Sequence, residues 1–167
     1  MKLKIVIVGS TGKLGTKLLR FTKKNSISLS CITCYKNTKK IIKQKFSNKI
    51  KNYFTLSSYN DQKKFFKYLE QKINIIYFLD YGSESLKYLS HFLKHNSNSI
   101  IAIANKEMII AGGPLLQKKI KKTNNFFIPL DSEHFSLLNS NINNNNIQKG
   151  YITASGGPFY FNKNINL

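Results

Sequence analysis

Short apolar runs alternate along the chain with longer stretches in which lysines interrupt apolar positions at helical spacing. KLKIVIVG is apolar, β-branched and closed by glycine, which predicts a buried strand. The segment after it, GSTGKLGTKLLRFTKK, switches to helical spacing, with Leu14, Leu18, Leu19 and Phe21 set among lysines. ISLSCITC predicts a second strand, 38–46 a lysine-rich helix, 51–56 a weak strand and 61–71 a helix that Ser58 or Asn60 would cap. INIIYFLD and SIIAIAN read as further strands, and SESLKYLSHFLKH between them as an amphipathic helix. PLLQKKIKK predicts a helix with proline in its first position, where the missing N–H costs nothing. FFIPL then reads as a strand, SEHFSLLNS as a short helix, NINNNNI as a polar loop and GYITAS as a last strand. Strand and helix alternating from end to end predict an α/β fold with a mostly parallel sheet and helices on both faces.

Composition narrows this picture without changing it. A chain of 167 residues with 41% hydrophobic content can bury one substantial core. It has no apolar run long enough to span a membrane, and LKIVIVG is too short for a signal sequence, so a cytoplasmic protein with no membrane partner is expected. The 27 Lys+Arg against 7 Asp+Glu give a formal charge of +20. These lysines are spread over every segment, so solvated faces are expected and specific nucleic-acid binding is not. Cys31 and Cys34 form C-x-x-C, but inside a strand, where positions three apart point to opposite faces. A redox pair belongs at a helix N-terminus, so inert buried thiols are expected.

Chemistry concentrates first at Gly9, Gly12 and Gly15, a G-x-x-G-x-x-G between the first strand and the first helix. Glycines there permit a tight turn and close approach of backbone to a pyrophosphate at the helix N-terminus. A strand-to-helix turn with no ligand is the plainer alternative. The second strand ends in Cys34-Tyr35-Lys36-Asn37-Thr38 without a carboxylate for ribose hydroxyls, so Lys36 and Asn37 favour NADPH over NADH. Chemistry concentrates again at FFIPLDSEH, where Asp131 and Glu133 stand two apart in a chain poor in acids. They suit either a helix N-terminus or a site for Mg²⁺ or Mn²⁺.

GSTGKLG at 9–15, ANKE at 104–107, PLDSEH at 129–134 and TASGGPF at 153–159 occur in the order seen in the 1-deoxy-D-xylulose 5-phosphate reductoisomerases, which the chain resembles over nearly its whole length. The resemblance implies a Rossmann-like NADPH-binding domain over 1–126, then the truncated start of an α+β catalytic, metal-binding domain over 127–167. It implies an NADPH- and divalent-metal-dependent oxidoreductase that rearranges and reduces 1-deoxy-D-xylulose 5-phosphate to 2-C-methyl-D-erythritol 4-phosphate in non-mevalonate isoprenoid synthesis. By this resemblance, Gly9, Thr11, Gly12, Lys13, Leu14, Gly15, Lys36, Asn37, Asn105 and Glu107 contact the cofactor. Lys106 and Glu133 are catalytic, Asp131 and Glu133 bind Mg²⁺ or Mn²⁺, and Lys106, Ser132, Glu133 and Ser155 hold the sugar phosphate. Lys13 and Tyr35 depart from the usual residues of the pattern. Chains of the family continue well past TASGGPF, with a third metal carboxylate, and form homodimers. The expectation is therefore an amino-terminal portion that is inactive alone, with a non-catalytic NADPH-binding module or decayed remnant as the alternative.

Overall fold

The computed structural model describes residues 3–139 and Lys149. In chain order the elements are β1 (Ile5–Val8), α1 (Lys13–Lys24), β2 (Cys31–Cys34), α2 (Thr38–Ser47), β3 (Asn52–Thr55), α3 (Tyr59–Leu69), β4 (Ile75–Phe78), α4 (Leu86–His95), β5 (Ile100–Ile103), α5 (Lys106–Lys122), β6 (Phe126–Pro129) and α6 (Ser132–Asn139). The strands form one sheet of order β3-β2-β1-β4-β5-β6, with every neighbouring pair parallel. This is the doubly wound α/β arrangement, and its order reverses between β1 and β4.

The sequence of β1, IVIV, is apolar without alternation because helices cover both faces of the sheet, and all four of its residues are buried. On one face Val6, Val8 and Phe78 pack with Phe65 and Leu69 of α3, Phe92 of α4, and Met108 and Ile120 of α5. On the other, Ile5, Ile7 and Ile32 pack with Leu19 of α1 and Ile41 of α2. Phe65, Phe78 and Phe92 are fully buried, and each such side chain contributes about 1.5–3 kcal/mol relative to exposure. Cys31 and Cys34 are free thiols, one in each of these clusters, as strand alternation predicts. Burial pushes both thiols above their usual pKa, which keeps them protonated and unreactive.

One boundary differs from the sequence expectation. The helix expected to begin at Pro114 is the second half of α5, which starts at Lys106; Gly113 (φ 48°, ψ −149°) breaks the helical path between the halves. The pair Gly112-Gly113 before a proline reads as loop, yet Gly113 alone takes up the change of direction. The expected domain division at residue 126 falls at the start of β6, whose register with β5 runs from Ile100 and Phe126 to Ile103 and Pro129. No helix of the described residues is long and apolar enough to cross a membrane. The last expected strand, GYITAS, and Ser155 within the TASGGPF stretch lie outside the described residues.

Candidate active site

The carboxyl ends of β1, β2, β4 and β5 open into a cavity of about 830 Å³, lined among others by Gly9, Gly12, Tyr35, Asp80, Asn105 and Lys106. It lies at the switch in strand order, where ligands bind in open α/β sheets. The loop from β1 to α1 forms its floor. Gly9 has φ +85°, and a Cβ there would fall 2.7 Å from the Asp80 backbone nitrogen. A Cβ on Gly15 would fall 2.5 Å from the Gly9 carbonyl oxygen, so helix and loop touch directly. Gly12 differs: its Cβ would meet nothing nearer than 3.5 Å, so the fold itself admits a side chain there. Gly12 is the N-cap of α1 and no side chain caps this helix, whose first turn also lacks an acid. Its amides and positive dipole end therefore suit an anionic ligand.

The second helix braces this loop. Ser10 Oγ donates to Gln44 Oε1 at 2.9 Å, while Gln44 Nε2 donates to the Ser10 carbonyl at 3.0 Å. Lys40 Nζ donates to the Thr11 carbonyl at 2.7 Å, which brings a cation to the loop. Thr11, Lys13 and Leu14 line the cavity. At the end of β2 it is Tyr35 that lines it. Lys36 Nζ lies 5.4 Å over the Tyr35 ring, and the Asn37 side chain caps α2 by accepting from the Lys40 amide at 3.1 Å.

Asp80, which sequence reasoning missed, follows β4 and faces the same cavity. Burial raises its pKa, opposed by the hydrogen bond that Ser85 Oγ donates to Oδ2, while Oδ1 is buried without a partner. Its only sequence signal is an acid directly after a strand, and that strand's place beside β1 is a property of the fold.

Opposite, Asn105 caps α5: Oδ1 accepts from the Met108 amide at 3.0 Å and Nδ2 donates to the Gly82 carbonyl at 2.7 Å. Its side chain thus fixes the cavity wall. Lys106 and Glu107 follow it on that wall. Lys106 Nζ reaches out to Glu133 Oε1 at 2.9 Å. The Lys106 hydrogen bond holds the Glu133 carboxyl down at about 2, and the same contact raises the Lys106 pKa.

Asp131 and Glu133 do not leave an extended strand together, because α6 already begins at Ser132. Asp131 acts as a helix cap, Oδ1 accepting from the His134 amide at 3.0 Å and lying 2.7 Å from His134 Nδ1. Its other oxygen, Oδ2, is buried and has no hydrogen-bond partner. An orphaned carboxylate oxygen is costly to bury, and a hard cation would satisfy it. Ser132 Oγ donates to Glu133 Oε2 at 2.9 Å. One oxygen of Asp131 is thus used by the helix cap and the other is left open to a cation. The carboxylate pair fits a divalent ion, with Glu133 free to exchange Lys106 for it.

No protein-family model matches the chain. A curated relative, the 1-deoxy-D-xylulose 5-phosphate reductoisomerase of Pelagibacter ubique, is 38% identical over 188 aligned positions that take in 98% of this chain and 47% of the relative. The chain is homologous to the 1-deoxy-D-xylulose 5-phosphate reductoisomerases. The enzyme of the same name from Malacoplasma penetrans is 31% identical over 99% of this chain and 45% of its own length. The chain thus spans about half the length of the curated reductoisomerases it matches. Among solved structures, the reductoisomerase of Zymomonas mobilis in complex with NADPH superposes with a TM-score of 0.68 at 19% identity, over 80% of this chain and 40% of that one. A reductoisomerase in complex with NADPH, fosmidomycin and magnesium superposes with a TM-score of 0.67 at 18% identity, over 79% and 37%. These likenesses establish the shared α/β fold.

Proposed function

We propose that this chain carries the cofactor-binding portion and the first metal carboxylates of an enzyme that converts 1-deoxy-D-xylulose 5-phosphate to 2-C-methyl-D-erythritol 4-phosphate with NADPH. The observation that carries this reading beyond cofactor binding is the Lys106–Glu133 ion pair at 2.9 Å. It joins the wall of the cofactor cavity to the carboxylates that follow β6. A module that only bound NADPH would have no use for that junction.

In this reading the N-terminus of α1 and the Gly12 backbone receive the pyrophosphate, and Lys36 and Lys40 supply positive charge on the side where a 2′-phosphate would lie. Asn105 holds the wall in place while Lys106 and Glu107 face the ligand. Asp131, through its orphaned Oδ2, and Glu133 would hold Mg²⁺ or Mn²⁺. When bound, NADPH would supply hydride and the cation would stabilise negative charge on substrate oxygens. Lys106, on the cavity wall, would hold an anionic substrate oxygen. Ser132 stands beside Glu133 to hold the same ligand, and Ser155 is assigned to the phosphate end by its motif.

Manganese binding tests the metal half of this account, read from the loss of the free Mn²⁺ paramagnetic resonance signal. Asp131→Asn keeps the helix cap while removing the charge. The wild-type chain is expected to take up Mn²⁺, and the variant to bind it about tenfold or more weakly with NADPH binding unchanged. Equal Mn²⁺ binding by both proteins, or none by the wild type, would contradict the assignment.

A further inference from the structure

Far from the cavity, Glu70, His91 and His95 each offer one ligand atom within 4.8 Å of the others. Glu70 is the C-cap of α3, His95 is the last residue of α4, and His91 stands one turn earlier on the same face. Helices that follow strands of a parallel sheet run back along it, so these C-termini lie at the end of the sheet opposite the cofactor cavity. We infer that Glu70, His91 and His95 form a binding site for a borderline divalent cation of the zinc class, which clamps the end of α3 to the end of α4.

The contact between His91 and Glu70 suits a metal better than it suits a hydrogen bond. His91 Nε2 lies 3.4 Å from Glu70 Oε1, yet this nitrogen is buried and has no hydrogen-bond partner. That separation is poor for a hydrogen bond. It matches the ligand-to-ligand edge of about 3.3 Å in a tetrahedron with zinc bonds near 2.0–2.1 Å. The His91 ring is held edge-on against Phe66, with ring centroids 5.0 Å apart, and stands 4.7 Å from the His95 ring.

The surroundings are already organised. Buried Asn96 donates from Nδ2 to the Leu69 carbonyl and accepts at Oδ1 from the Ile73 amide, both at 2.8 Å. The two helix ends are thereby locked before any ion arrives, which reduces the ordering cost of binding. A net charge of +20 opposes a cation. Here, however, two helix C-termini converge with their negative dipole ends, and Glu70 adds a full negative charge. Two imidazoles with one carboxylate select zinc-class ions over Mg²⁺, which prefers oxygen alone. The fourth position would be taken by water.

Cobalt(II) reports directly on such a site through the visible bands of the four-coordinate ion. The test is a Co²⁺ titration of the whole chain in the presence of excess Mg²⁺, with Glu70→Gln and His95→Gln as variants. Both positions are exposed, so the fold is retained. Asp131→Asn serves as a control for the other histidine–carboxylate pair. The expected result is one saturable equivalent of Co²⁺ in the wild type and in Asp131→Asn, displaced by Zn²⁺. Affinity should fall about tenfold or more in each of the two cluster variants. Absence of the bands, undiminished binding in either cluster variant, or loss of the signal in Asp131→Asn would overturn the site.

Discussion

Gly9, Gly12 and Gly15 belong to one motif but answer to different forces. Gly9 must be glycine for its positive φ and its contact with Asp80, and Gly15 for its contact with the Gly9 carbonyl. Of the three, only Gly12 is under no such demand from the described residues, and the proposed function gives glycine there a reason in close approach of the ligand. Gly15→Ala should therefore cost about 1–3 kcal/mol in denaturant unfolding through overpacking. Gly12→Ala should cost no more than about 1 kcal/mol, the range of a helix-cap change, yet lose most of the NADPH affinity. A Gly12→Ala chain that bound NADPH like the wild type would show that the loop is only a turn. The motif made the loop legible in the sequence, but it could not sort the three glycines, because that depends on which backbone lies beneath each. Asp80 was illegible for a similar reason: its place under Gly9 follows from β4 pairing with β1, and strand order is not written in any local pattern. Asp131 was half legible. The sequence left helix cap and cation site open, and only the start of α6 at Ser132 shows that Oδ1 caps the helix while Oδ2 has no partner.

At the scale of elements, β1, β2, β4 and β5 were legible because a buried parallel strand is a short apolar run, and the more exposed outer strands β3 and β6 also fall on expected stretches. The cap of α3 was legible as well, since Ser58 Oγ does accept from the Asp61 amide, at 3.4 Å. What the pattern hid was the first half of α5, where glycines and a proline two turns downstream read as a break. Asn105 carries that half-helix. It caps the first turn and anchors the Gly82 turn across the cavity, so one side chain fixes both walls. Asn105→Ala should destabilise the chain by about 1–3 kcal/mol in thermal or denaturant unfolding, combining a lost cap with a lost buried hydrogen bond. Asn105→Asp should recover the cap and only part of that loss. Equal stability of all three proteins would mean that the wall does not depend on this residue.

Across the whole molecule, 27 Lys+Arg residues face 7 Asp+Glu, so most lysines must be accommodated without ion pairs. Several lie against aromatic rings, as Lys45 does over Tyr53 at 4.8 Å and Lys63 over Tyr59 at 4.5 Å, and others donate to carbonyls, as Lys40 does to Thr11. The stems of these side chains cover apolar surface while their charges remain solvated. The lysines that matter to the site are those placed by elements: Lys40 by α2 and Lys106 by the start of α5. The cavity at the strand-order switch gives this placement a location, and under the proposed function its purpose is to receive NADPH. The measurement that bears most directly on this account is an equilibrium titration of the wild-type chain with NADPH and, separately, NADH, followed by nicotinamide fluorescence. Saturable binding of one NADPH per chain, tighter than NADH, is the predicted result. No saturable binding of NADPH, or a preference for NADH, would contradict it.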